Sequence, residues 1–222
     1  MIINWSIGNT CNFNCEYCPD VLKSGSIPLP DSHRFADAVK LVFDKFDVLE
    51  IQFSGGEPTI FPGIILALSQ LTPHPDKKIR IESNGSPDLT WWETNKLFFQ
   101  SVELTYHQAT MNLNHIISVA KILKTANAGV NIKVPTTDLN WENSVNAVTV
   151  IKANGISADL QLLYKNFTKG NNRYYPYSDR QMQWYHSSKG ITAEEIPDTI
   201  EFRRQNQLNN YLGHLCWAGI DQ

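Results

Sequence analysis

Much that would narrow the function of this 222-residue chain is scarce or missing. Long apolar runs are absent. No stretch reads as a membrane span, and no signal peptide precedes the first strand-like segment. An excess of one charge is absent: 19 basic residues face 22 acidic ones, for a formal net charge of −3. That balance gives no nucleic-acid footprint and no membrane footprint. Low-complexity tracts and internal repeats are absent. Cysteine is scarce, with four in the whole chain, which excludes a disulfide scaffold. Three of the four nevertheless crowd into Cys11-Asn12-Phe13-Asn14-Cys15-Glu16-Tyr17-Cys18. A tight thiol cluster in a chain without an export signal predicts metal binding or catalysis in a reducing cytoplasm.

What is present is alternation. Strand patterns lie at about 2–7, 48–53, 78–83, 101–106, 130–135 and 158–163, with helix patterns between them. The first helix, about 32–46, sets Phe35, Ala38, Val39, Val42, Phe43 and Phe46 on one face after the N-cap candidate Asp31. A second follows Pro62. A third starts at Thr90-Trp91-Trp92-Glu93, which reads as a capping box. A fourth runs over about 112–126, a fifth starts near Asn140-Trp141, and Ser178-Asp179-Arg180-Gln181 caps a sixth. Such β/α alternation predicts a parallel sheet in an α/β fold. Alternate strand positions are polar: Asn4 and Ser6; Glu50, Gln52 and Ser54; Arg80, Glu82 and Asn84; Glu103, Thr105 and His107; Asn131 and Lys133; Asp159 and Gln161. A parallel sheet covered on both faces reads as nearly continuous apolar runs, and a closed eight-stranded barrel fills its lumen with apolar side chains. The pattern therefore predicts an open, partial (β/α)6 TIM-type barrel with a polar concave face; a sheet with one solvated face is the plainer alternative. The expected organisation is a barrel over 1–190 and a tail over 191–222.

Cys-x3-Cys-x2-Cys supplies three thiolates where a structural zinc site wants four ligands. Asp20 is near and His33 distant, and neither has finger-like spacing. An iron–sulfur cubane held by three cysteines keeps one iron for an external molecule. The cluster follows the first strand at what becomes its C-terminal end, the functional end of α/β barrels.

These residues resemble the signature of the radical S-adenosylmethionine (SAM) superfamily. Ser54-Gly55-Gly56-Glu57-Pro58-Thr59 after the second strand resembles the family's Gly-Gly-Glu motif, and Ser83-Asn84-Gly85 after the third resembles a frequent turn there. The resemblance covers about residues 1–165. It implies a 4Fe–4S cluster on Cys11, Cys15 and Cys18, and SAM chelated by the fourth iron. Reductive cleavage of SAM then gives a 5′-deoxyadenosyl radical that takes hydrogen from substrate. It implies an external electron donor of flavodoxin or ferredoxin type.

By the same resemblance Tyr17 lies near the adenine, and Ser54, Gly55, Gly56 and Glu57 meet the methionine amino group. Ser83 and Asn84 touch SAM, or serve only their turn. Thr105 and His107 contact ribose or carboxylate, and His107 also stands as an acid or base for substrate, or as a local hydrogen-bond partner. Lys133 pairs the SAM carboxylate, acts in catalysis, or balances Glu103 and Glu82. Leu163, with Leu162, packs on the adenine or in the core. Cys216-Trp217-Ala218-Gly219 resembles the opening of a SPASM-type auxiliary-cluster extension, with no further cysteine before Gln222. Substrate class stays open between a peptide and a nucleotide or other small molecule. The alternatives are a non-catalytic iron–sulfur or zinc protein on the same scaffold, and an incomplete enzyme that needs a partner chain.

Overall fold

Strict alternation of buried and half-exposed residues shapes the sheet. In the computed structural model, which describes residues 1–47, 49–163 and 175–190, six parallel strands stand in chain order: β1 (Ile2–Ser6), β2 (Leu49–Ser54), β3 (Lys77–Ser83), β4 (Ser101–Thr105), β5 (Gly129–Thr136) and β6 (Ser157–Leu162). All five pairings are parallel. A parallel pair needs a crossover link, and helices supply it: α1 (Ser32–Lys45), α2 (Pro62–Ser69), α3 (Leu89–Asn95), α4 (Leu113–Thr125) and α5 (Trp141–Ala153). The sheet is an open partial barrel. β1 and β6 are its two edges, and strand order equals chain order.

The chain forms two compact units, Met1–Leu163 and Tyr164–Gln222. In the second, α6 (Asp179–Ser188) starts at a capping box in which Ser178 and Gln181 satisfy each other's backbone N–H. The Cys216 segment expected to open an auxiliary extension lies outside the described residues. Among the described residues no helix is long and apolar enough to cross a membrane.

The core lies between the convex face of the sheet and the helices. Ile51, Phe53, Ile81, Leu104 and Ile132 are fully buried, as are Val39, Ile64, Trp92, Ile116, Leu123 and Ile151 of the helices. Each such side chain contributes about 1.5–3 kcal/mol relative to exposure. Phe35 knits α1 to the sheet, with ring centroids 5.4 Å from Trp5, 5.9 Å from Phe53 and 5.1 Å from Phe61. Asp31 caps α1 as expected, its carboxylate accepting from the His33 and Arg34 N–H groups. The start of α3 differs from expectation. Its cap is Asp88, which accepts from Trp91 N at 2.8 Å, and Thr90 already lies inside the helix. A carboxylate two residues upstream takes the orphan N–H, so the Thr90–Glu93 spacing has no helix end to cap.

Candidate active site

The three thiols sit on the long loop between β1 and α1, at the C-terminal mouth of the sheet. Buried Asn9 organises this loop. Its amide Nδ2 donates to Val21 O at 2.9 Å and to the Ser24 and Ser26 hydroxyls, and its Oδ1 accepts from Ile27 N at 2.9 Å. A bridge between Thr10 and Ser24 closes the loop's stem. Lys23 Nζ donates to Cys15 O at 2.6 Å, which fixes the backbone between the second and third thiols. Cys11, Cys15 and Cys18 are all free and half-buried.

Burial pushes the Cys11 and Cys18 thiols up, and the neighbouring cysteines add to both shifts. Among the described residues no three His, Cys, Asp or Glu side chains converge as on a single metal ion. A structural zinc needs that convergence. A cubane does not, because each thiolate takes a different corner iron. The donor set fits the cluster.

The glycines after β2 have a requirement of their own. Gly55 has φ +92° and Gly56 φ +52°, both in the region that disfavours side chains. A Cβ on Gly55 would lie 2.6 Å from Gly8 O, and one on Gly56 2.7 Å from the Thr10 carbonyl carbon. This turn thus packs backbone to backbone against the start of the cluster loop, and Glu57 N donates to Thr10 O at 2.9 Å.

Glu57 is 2% exposed. Its Oε1 accepts from Thr59 N at 3.0 Å, Thr59 Oγ1 at 2.6 Å and Ser83 Oγ at 2.8 Å; its Oε2 accepts from Asn84 N at 2.6 Å. Burial pushes the carboxyl above its usual range, and the four hydrogen bonds oppose that shift. The carboxylate is a strut between the ends of β2 and β3. Ser83 belongs to the buried face with Ile79 and Ile81, so its hydroxyl meets Glu57 rather than the concave side. Asn84 Nδ2 carries the link onward to Asn12 Oδ1 at 2.8 Å, and Asn12 Nδ2 donates to Ser86 Oγ at 2.8 Å. Asn9, Asn12, Ser86 and Lys23 were not singled out in the sequence. Asparagines inside a cysteine loop were the available signal.

The concave face is a charged floor. Glu82 accepts from Gln52 Nε2, and Arg80 reaches Glu103 at 3.5 Å. Lys133 lies 3.9 Å from Glu103 and 3.8 Å from Asp159. Burial, then the nearby Glu103 charge, raise the Glu82 carboxyl. Ser54 and Thr105 are half-exposed at the upper rim, Thr105 in register with Lys133. Leu163 follows β6, its N–H donating to Thr136 O at 3.2 Å.

His107 lies two residues past β4. Its carbonyl accepts from Thr110 N and Met111 N, both at 3.0 Å. Its imidazole leans on the cysteine loop: Nδ1 is 3.3 Å from Cys15 Sγ and bonds the Tyr17 hydroxyl. The Tyr17 ring stacks at 6.0 Å and Phe13 meets His107 edge-on at 5.6 Å. Burial pulls the imidazole down to about 4, and burial with the adjacent cysteines pushes Tyr17 far up.

The model of the radical SAM superfamily matches residues 5–169, and the chain belongs to that superfamily. A probable GTP 3′,8-cyclase of Thermoplasma volcanium is 26% identical over 221 residues, covering 92% of this chain and 64% of its own. Among solved structures, native anSMEcpe with bound AdoMet and a Cp18Cys peptide aligns at TM-score 0.58 with 16% identity, over 94% of this chain and 61% of that one. SuiB of Streptococcus suis aligns at TM-score 0.55 with 16% identity, over 86% and 47%. Both share the partial barrel. The chain spans less than two thirds of the length of each of these relatives.

Proposed function

We propose that this chain is the catalytic barrel of a radical SAM enzyme. The observation that carries the reading is the thiol set: three free, half-buried cysteines on one loop at the mouth of the barrel. Cys11, Cys15 and Cys18 would each hold one iron of a 4Fe–4S cluster, leaving the fourth iron to SAM. When bound and reduced, the cluster and SAM supply a 5′-deoxyadenosyl radical that takes a hydrogen atom from substrate.

The chain's own residues supply orientation. Asn9 and Lys23 hold the cysteine loop, and the Glu57–Asn84–Asn12 relay ties it to the sheet. Gly55 and Gly56 pack the turn after β2 against the cluster loop, and their backbone would meet the methionine end of SAM. Ser54, Thr105 and Lys133 line the concave side where its polar groups would lie, and Tyr17 and Leu163 flank the adenine. Ser83 and the Glu57 side chain are buried and bonded to each other, so their contribution runs through the strut.

Substrate is proposed as a peptide or a nucleotide-sized molecule. The anSMEcpe structure holds a peptide, and the Thermoplasma relative is named for GTP. A flavodoxin- or ferredoxin-type donor, residence in a reducing cytoplasm, and a 191–222 segment that opens an auxiliary extension complete the proposal.

The test is anaerobic reconstitution with iron and sulfide, reduction with dithionite, addition of SAM and measurement of 5′-deoxyadenosine. Product in the wild type and none in Cys15→Ala supports the reading. A verified cluster that yields no product in the wild type rejects catalysis by this chain alone and favours a partner-dependent enzyme.

A further inference from the structure

We propose that His107 is a positioning residue for the cluster: its Nδ1–H donates to the sulfur of Cys15 and, together with the Tyr17 hydroxyl, makes the cluster easier to reduce. The inference rests on the cysteine ligation proposed above. It differs from the SAM-contact and acid–base roles expected for this histidine.

The geometry is local and specific. Nδ1 lies 3.3 Å from Cys15 Sγ, within hydrogen-bond reach of sulfur. The Tyr17 oxygen bonds the same Nδ1, and Cys15 is among the groups that act on the phenol. An iron-bound cysteine is a thiolate and can only accept, so in this proposal Nδ1–H is shared between Cys15 Sγ and the Tyr17 oxygen, and the phenol's own proton is left to turn toward Cys15. The proposal thus places the histidine proton on Nδ1. The ring is clamped by Tyr17 on one side and Phe13 on another, and its carbonyl is anchored by the Thr110 and Met111 N–H groups. The donor is thus preorganised before any ligand arrives. Cys11 accepts from a backbone N–H at 3.4 Å instead, whereas Cys15 Sγ faces the His107 side chain.

Reduction adds one electron to the cluster and concentrates negative charge on its sulfurs. A donor aimed at one of those sulfurs stabilises the reduced form more than the oxidised form, and hydrogen bonds to the sulfurs are among the levers that set such potentials. Removing one donor should shift the reduction equilibrium about tenfold toward the oxidised cluster, which for a one-electron couple is a fall of about 59 mV.

The experiment is a dithionite redox titration, read by electron paramagnetic resonance, on anaerobically reconstituted full-length wild type, His107→Phe and His107→Gln. Iron and sulfide are counted in each sample. His107→Phe keeps a ring against Phe13 and Tyr17 without a donor; His107→Gln restores an N–H. The expected result is full cluster content in all three, a potential lowered by about 59 mV in His107→Phe, and partial recovery in His107→Gln. An unchanged potential in a fully loaded His107→Phe overturns the proposal while leaving the ligation intact. A wild type that takes up no iron and sulfide overturns the ligation itself, and the proposal with it. Should His107→Phe fail to fold by circular dichroism, Tyr17→Phe carries the same test: an unchanged potential there rejects the two-donor arrangement, and a lowered one supports it. A histidine that merely packs would alter cluster content or stability without moving the potential.

Discussion

Replacing Glu57 tests the strut without any cofactor. Each carboxylate oxygen faces one backbone N–H, Thr59 on Oε1 and Asn84 on Oε2. The Thr59 and Ser83 hydroxyls can rotate toward other acceptors; the two backbone donors cannot. Glu57→Gln therefore leaves one backbone N–H facing an amide NH2 whichever way the side chain flips. Glu57→Ala orphans both. A buried unsatisfied donor costs about 1–3 kcal/mol. Loss of the carboxylate also removes its desolvation cost, which burial makes the largest influence on this group, so values near the low end apply. The expected loss is about 1.5 kcal/mol for Gln and about 3 kcal/mol for Ala. At about 2–4 °C per kcal/mol for a domain of this size, the melting temperature should fall about 3–6 °C and about 6–12 °C. The assay is thermal and urea unfolding of the apoprotein by circular dichroism. An Ala variant within about 0.5 kcal/mol of wild type, inside ordinary surface-substitution scatter, refutes the strut. A Gln variant as costly as Ala refutes the donor-by-donor accounting.

Other sites give independent checks. Gly56→Ala should destabilise by about 2–4 kcal/mol, because its Cβ meets the Thr10 backbone at a positive φ; iron uptake should fall with it, measured after reconstitution. Asn9→Asp turns an acceptor toward Val21 O, and should speed hydrogen exchange over 19–27 while leaving α4 and α5 protected. For Glu82 the native carboxyl titrates above its unfolded value, because of burial and then Glu103. The native state therefore binds that proton more tightly than the unfolded state does. Wild-type stability contributed by this group falls as pH rises from the ordinary carboxyl range through the raised native value. Glu82→Gln, which keeps an acceptor for Gln52, should flatten that slope and match or exceed wild type at neutral pH; urea unfolding across pH shows whether the slope remains.

The sheet was legible because its periodicity is physical. One face of each strand packs on helices, so residues such as Ile51, Phe53 and Ile81 alternate with Gln52, Arg80 and Glu82. Ser83 was legible too, in phase with Ile79 and Ile81. The cap of α3 was misread because Thr90 and Glu93 have the right spacing two residues into a helix that Asp88 had already started. The supports of the cysteine loop were not legible. Asn9 and Asn12 act across 12 to 74 positions of sequence, and no period marks such contacts. His107 was found from its place after the fourth strand, while its partner, Cys15, lies 92 positions away and was visible only in the fold.

Strand order equal to chain order carries a consequence for biogenesis. As the chain leaves the ribosome, each new strand meets a neighbour already made, and β1 waits only for β2. All three thiols emerge before residue 20, yet the Glu57 strut cannot close until Ser83 and Asn84 arrive, and His107 comes later still. The pocket for the cluster therefore matures in stages, with the thiols offered first and the groups that hold and polarise them added afterwards. A chain arrested after β2 would present open cysteines with nothing behind them, the form most exposed to oxidation and to adventitious metal.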